Sequence, residues 1–490
     1  MYTWKFYAMV AIVSAMYFAP QGYHSVLLNN LEPIAGEFIK SSTKSLFNGT
    51  LSEDQEAIIF SSVVSLLNVG QLIGSLISGR LADCFGRQKA LTLICSIVCA
   101  VSGLTAWLSC KFHSIILLAT ARFMSGLRIG IANAVAATYV MEFSPVAVRG
   151  ALGSLLDYST CLSVFISLLL TMPAVLGTPT YWPYLISVDL GFAVTGFLLM
   201  PILNETPHYL LFTRQDREGA LRALEFVHGT EKDSETILQE IEMADKKMCK
   251  EETSTLLAMM IKHKNIIFLS CLIGALPFAS SYPAVVAYST PILNDAGLSL
   301  NKASLYTTVM GGFELICGLL GAYINHVVPR RSLILCVATV LSVVNGIIAI
   351  LLVLNTVIPH PLFMDAVGSL TFLVTGCSVF SFYPLLVILP AELAPTEARS
   401  TASSAAFSVV SFLNIVTVFA TWPMYLALGG YVFLIFMVSM ILIASSLYLA
   451  LPETHPRFCK PKGNKAKVAP EESTNMKVMT VSYTQNTLAE

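Results

Sequence analysis

The side chains able to do chemistry in this 490-residue chain are few, and most stand at the edges of apolar runs. The densest set is Gly79-Arg80-Leu81-Ala82-Asp83-Cys84-Phe85-Gly86-Arg87-Gln88-Lys89, flanked on each side by an apolar stretch of bilayer-crossing length. Two roles stand open for it. The charges orient the flanking helices from cytosolic water. Alternatively, Gly79 and Gly86 let two helices turn tightly, and Asp83, held near Arg87 or a helix end, latches helix groups together. No nucleophile–base pair, metal-ligand spacing or phosphate loop stands anywhere in the chain, so neither an enzyme nor a cofactor is expected.

The elements that must position these charges are membrane spans. Hydrophobic residues make up 55% of the chain and charged ones 12%, roughly half the charge of an ordinary soluble domain. Apolar runs of spanning length lie at 6–28, 58–80, 90–110, 114–140, 150–173 and 182–203, then at 264–292, 303–325, 332–354, 362–389, 400–424 and 427–450. The expected fold is an all-α membrane protein of 12 transmembrane helices in two six-helix bundles, 1–203 and 264–451. Residues 204–263 are expected as a cytosolic linker of short amphipathic helices and 452–490 as a disordered cytosolic tail. The 11 cysteines scatter singly, mostly within apolar runs, so neither a zinc site nor a disulfide framework is expected. A net charge of −1 gives no reason to expect nucleic acid. The run from Phe6 lacks a small-residue cleavage site and is expected as a retained first span.

Arg80, Arg87, Lys89, Arg149, Arg330, Arg331 and Arg399 fall in short loops on one side, which the basic-residue bias assigns to the cytosol with both termini. The loop 29–56 then lies outside and carries the sequon Asn48-Gly49-Thr50, an expected glycosylation site that suggests the plasma membrane. The sequon at Asn204 lies inside and should stay unmodified. The two halves also repeat. Glu142-Phe143-Ser144-Pro145 leads to Arg149, and Glu392-Leu393-Ala394-Pro395 leads to Arg399, with the second copy 250 residues downstream. Glu205-Thr206 recurs as Glu453-Thr454 after 248 residues. Charged motifs at matching corners of duplicated halves are a parallel-repeat carrier pattern, with the solute path between the halves.

These motifs carry a resemblance. The run from Gly79 to Lys89 resembles the signature loop of the major facilitator superfamily, and the set as a whole resembles its sugar-porter branch, the facilitative glucose transporters in particular. Arg122, Glu142 to Gly150, Glu205-Thr206-Pro207-His208-Tyr209-Leu210-Leu211, Glu392 to Arg399 and Pro452-Glu453-Thr454 contribute to it, over about Phe6 to His455. The resemblance implies a cytosolic gating network built from Arg80, Asp83, Arg87, Arg122, Glu142, Arg149, Glu205, Arg330, Arg331, Glu392, Arg399 and Glu453. The loop from Asn325 to Arg331 has lost the family's acidic member, which predicts a weaker latch in the second half.

The solute positions depart from the family. Sugar porters carry Q-Q-x-x-G-x-N in the seventh span, where this chain has Pro277-Phe278-Ala279-Ser280-Ser281-Tyr282-Pro283. Amides supply both the donor and the acceptor that a hydroxyl needs, and proline and phenylalanine supply neither. The family's tenth-span tryptophan falls at Val387, near Pro384. Asn414 matches one eleventh-span asparagine, and the other falls at Val410. The fifth-span glutamine falls at Asp157.

Asp157 stands about 12 Å into the hydrocarbon from Arg149 at helical rise. There it is paired, protonated or lining water. Pairing with Arg128, about 21 Å deep, strains even an arginine's reach. Glu314 is likewise mid-membrane, and His24 sits at the resembling family's broken first helix.

The expected function is a transporter moving a small polar solute, a hexose or related sugar first, by alternating access. Its substrate-binding candidates are His24, Asp157, Ser280, Tyr282, Tyr288, Glu314 and Asn414. A proton-coupled or organic-ion carrier of the same fold, with protons as coupling ion, is the alternative, followed by a non-transporting nutrient sensor. The expected partners are the solute and the lipid bilayer.

Overall fold

The structure is a computed structural model, and it describes residues 4–47, 52–144, 149–228, 234–239, 242–243, 261–394 and 398–452. The sequon at Asn48, Glu453, the rest of the tail and the side chains of Arg149 and Arg399 lie outside the described residues.

The first half holds α1 (residues 4–30), the loop helix α2 (Glu32–Phe47), α3 (Glu53–Phe85), α4 (Arg87–Phe112), α5 (Ile115–Phe143), α6 (Arg149–Leu170) and α7 (Trp182–Leu199). After the linker helix α8 (Arg217–His228), the second half holds α9 (Lys264–Asp295), α10 (Leu300–Val327), α11 (Arg330–Val357), α12 (residues 361–393), α13 (Arg399–Leu428) and α14 (Val432–Ala450). Among the described residues, nine stretches are long and apolar enough to cross a membrane. One of these, 401–450, is two helices parted at Gly429–Tyr431, and α1 and α6 complete twelve.

Local chemistry sets the ends. Ser52 caps α3, accepting from the Gln55 N–H while the Gln55 side chain accepts from the Ser52 N–H, and Glu53, Asp54 and Glu56 fill the first turn. In α9 the Leu276–Ala279 turn gives way to a second helix at Ser281, which sits at φ 63°, just before Pro283. That break falls where the resembling family carries its amides.

Close approach of α3 and α5 rests on paired small residues. Gly70 and Gly74 lie against the backbone of Phe123 and Leu127, and Gly126 and Gly130 against that of Leu67 and Gln71. A Cβ at any of the four would stand about 2 Å from a carbonyl oxygen. The halves meet along α1 with α9, α3 with α13, and α6 with α10. Their apolar cores divide unevenly. One cluster runs through both halves and joins Tyr23, Leu27 and Leu28 to Tyr288, Ile292 and Trp422. A second cluster, from Phe6 through Tyr139 to Leu203, contains first-half and linker residues only.

Candidate functional site: a cleft between two unlike ends

The end that carries Gly79–Lys89 is called the basic end and the opposite one the loop end. At the basic end α4 starts at Arg87, directly after Gly86 with φ 95°. A Cβ on Gly86 would meet the Glu205 carboxylate at 2.2 Å, so glycine is required on both counts. Glu205 Oε1 accepts the backbone N–H of Arg87 at 2.9 Å, of Gln88 at 3.1 Å and of Thr206 at 3.0 Å. It is an anionic cap on a helix N-terminus. Burial pushes its carboxyl above the usual range, against the lowering from these N–H groups and Arg87. The Arg87 guanidinium reaches Asp83 at 3.2 Å and Glu142 at 3.3 Å and lies over the Tyr209 ring.

The second-half corner repeats the motif more simply. Arg330 pairs with Glu392, and Arg331 donates to the Tyr448 carbonyl at 2.7 Å. The lost acid in the Asn325–Arg331 loop is thus not needed to pair Arg330. Each pair named here stays within one half. Arg80 is exposed and has no ion-pair partner among the described residues. Arg122 stands apart from this network. It lies near the loop end of α5, fully buried, and donates to the His24 carbonyl at 3.1 Å.

At the loop end, bonds cross between the halves. Asn29 Nδ2 donates to the Val286 carbonyl at 2.8 Å and to Ser289 Oγ at 2.9 Å, while its Oδ1 accepts from Thr290 N–H. Thr290 Oγ1 donates to Asn30 Oδ1 at 2.7 Å, and Asn30 Nδ2 donates to the Leu168 carbonyl. Tyr288 belongs to this closure. Its hydroxyl donates to Val418 O at 2.6 Å, and its ring packs between Phe60 and Trp422.

Midway between the ends, several predicted residues come together. Tyr282 donates to Glu314 Oε1 at 2.8 Å, its ring sits 5.1 Å from that of Tyr383, and Glu314 Oε2 is buried without a partner. Ser378 donates to Ser280 Oγ at 3.1 Å beside the α9 break. Asn414 donates to Asn68 Oδ1 across the halves at 3.4 Å. Asp157 is exposed on α6, in helical register with Cys161, Phe165 and Leu168, which pack against glycines of α10. It does not pair with Arg128, which donates to the Met16 carbonyl at 2.6 Å and lies over the Phe192 ring.

His24 is not in this central set. Its Nε2 bonds Asp189 Oδ1 at 2.9 Å inside the first half, and Asp189 Oδ2 accepts from Ser102 at 2.6 Å and Ser125 at 2.7 Å. A carboxylate with no exposed surface needs this many donors. Asp189 escaped sequence reasoning, although an acid inside a span was signal enough. Also missed were Gln21, Asn68 and Asn133, amides near the middles of first-half spans, of which Asn133 donates to Gln21 Oε1.

The family model described as "Sugar (and other) transporter" matches residues 8–460. The chain belongs to that transporter family. The transporter is 27% identical over 441 residues to human "Solute carrier family 2, facilitated glucose transporter member 14", covering 89% of this chain and 83% of that protein. It is 25% identical over 465 residues to mouse facilitated glucose transporter member 9, covering 93% and 84%. Among solved structures it resembles the xylose transporter XylE from E. coli in a partially occluded inward open conformation, with TM-score 0.75 and 17% identity over 95% of this chain and 100% of that one. The fold is the 12-helix major facilitator fold, in a multi-pass membrane protein that works by alternating access, and the transporter is not an enzyme.

Proposed function

We propose that the protein carries a sugar-class solute across the plasma membrane, with both termini in the cytosol, and that the arrangement described is open at the basic end. The observation that carries this is the midplane set. Asp157, Tyr282, Glu314 and Asn414 each lie within about three residues, or about 5 Å, of the middle of their helices, between halves joined at the loop end by the bonds of Asn29, Asn30 and Thr290 and at mid-height by Asn414 to Asn68. Hydroxyls, carboxyls and amides with spare hydrogen-bonding capacity suit a polyhydroxyl solute. The named relatives are glucose transporters and a xylose transporter, which supports the same class.

Purified protein in liposomes, given labelled hexoses, polyols and organic cations, tests this. Saturable hexose uptake that competing hexoses inhibit is expected. Uptake of cations alone, or of nothing, would discard the sugar reading. Proton coupling is a second reading, favoured by the unpartnered Glu314 Oε2 and by an Asp157 that has no ion-pair partner among the described residues. Under coupling, Glu314→Gln abolishes uphill uptake driven by a pH gradient while counterflow exchange survives. Equal effects on both would return Glu314 to a packing role.

A further inference from the structure

Both serine hydroxyls at the α9 break are already committed. Ser280 donates to the Pro277 carbonyl and accepts from Ser378, while Ser281 donates to Asn345 Oδ1 at 2.7 Å. Spare amide capacity stands instead on the first half. Asn133 of α5 donates through Nδ2 to Gln21 Oε1 of α1, and this is the one hydrogen bond that either side chain makes among the described residues. Among the described residues Asn133 Oδ1 is buried without a partner, and Gln21 Nε2 has none either. The pair therefore offers one free acceptor and one free donor group on neighbouring helices. Exchanging oxygen and nitrogen in both amides leaves the same surplus.

Position agrees with that surplus. Gln21 and Asn133 each lie within about four residues, or about 6 Å, of the middle of their spans. Around α1, Gln21 stands about 100° from Gly22, which packs on the Thr160 backbone of α6, and about 80° from Asn29, which reaches α9. Both residues are half-buried and Asn133 Oδ1 itself has almost no accessible surface, so a solute reaches that oxygen only as the side chain turns outward.

We propose that Gln21 and Asn133 read the hydroxyl pattern of the solute, from the first half, in place of the amides absent from α9. The proposal rests on the sugar-class reading above. A hydroxyl donates and accepts at once, so one hydroxyl, or two on adjacent carbons, satisfies both free groups. A sugar lacking that hydroxyl leaves a buried acceptor unpaired and is rejected.

The test is uptake of a hexose and its complete monodeoxy series by the full chain in liposomes. Wild type should prefer the parent sugar over one particular deoxy analogue by about tenfold or more in kcat/KM. Asn133→Leu and Gln21→Leu should each bring that one ratio to about one and leave the ratios at the other hydroxyls in place. All ratios unchanged in both variants would overturn the proposal. So would an equal loss at every hydroxyl, which marks a packing role. Wild type that moves no hexose at all fails the sugar-class reading instead, and the two failures are separable. If the leucine variants do not reach the membrane, Asn133→Ser and Gln21→Met carry the same comparison.

Discussion

The two ends of the cleft are closed by different chemistry. At the loop end, Asn29 and Asn30 of the first half join Val286, Ser289 and Thr290 of the second through neutral hydrogen bonds, Thr307 holds Thr290 from within the second half, and the Tyr288 ring packs on Phe60. At the basic end, Arg87 with Asp83 and Glu142, and Arg330 with Glu392, tie helices together inside one half each. A moving gate needs contacts that break and reform many times a second. Neutral hydrogen bonds suit this because water replaces them at a net cost of about 1 kcal/mol each. A nearly buried ion pair does not, since losing one partner strands the other charge. We infer from this contrast that the neutral bonds break as the carrier moves while the ion pairs hold each half rigid, a reading the variants below test.

The largest break in that contrast should come at the first-half corner. Side chains of Arg87 and Glu142 are only 11% and 13% exposed. Glu142→Ala should cost about 3 kcal/mol or more of stability, read as a lower Tm in detergent. The copy at Glu392 is 30% exposed, so Glu392→Ala should cost about 1 kcal/mol. Equal losses at the two corners would mean that burial does not separate them. A normal Tm in Glu142→Ala with abolished flux would move that pair from scaffold to gate.

The loop end should respond through population instead. Thr290→Val removes the bonds to Asn30 and Thr307 and leaves the volume unchanged. It should shift the balance toward an open loop end by about tenfold. The reporter is thiol labelling of Leu28→Cys, a position 3% exposed in the closed form, with the exposed Cys84 and Cys336 replaced. Labelling that does not change would show that apolar contact, rather than the hydrogen bonds, holds this end shut.

How much of this was legible beforehand differs between the two ends. Twelve spans and the Asp83–Arg87 pair follow from hydropathy and from charges at span edges, because the bilayer and the ion pairs constrain sequence locally, while the place of Glu142 beside them came with the family resemblance. The loop-end lock does not, since Asn29 and Thr290 lie 261 residues apart in bonding distance of each other. Ordinary polar residues inside spans give no hint of their partners. His24 looked like a cleft residue for the same reason. Its partner, Asp189, is an inconspicuous acid in the sixth span, and only packing shows that the two satisfy each other inside the first half. Arg122 shares the family's motif yet sits near the loop end, because it follows the loop-end start of α5 at Ile115 by seven residues, and there its guanidinium donates to the His24 carbonyl.

The smallest effect expected is a pH slope on the loop end. Glu32 begins α2 just past Asn30, and burial, helped by the Asp295 carboxylate from the end of α9 and opposed by Lys40, pushes its carboxyl from 4.5 to about 7. Lys40 is itself engaged by Glu56 at 2.9 Å. In the closed form Glu32 is therefore harder to ionise than in an open form where water reaches it. Closure then binds a proton, so it is favoured as pH falls below about 7 and weakens as pH rises through that value. Below the ordinary carboxylate range both forms are protonated and the dependence ends. Labelling at Leu28→Cys should rise several-fold between pH 6 and pH 8 in the wild-type background and stay flat with Glu32→Gln. A slope that survives Glu32→Gln would assign the titration elsewhere and leave the loop end a wholly neutral seal.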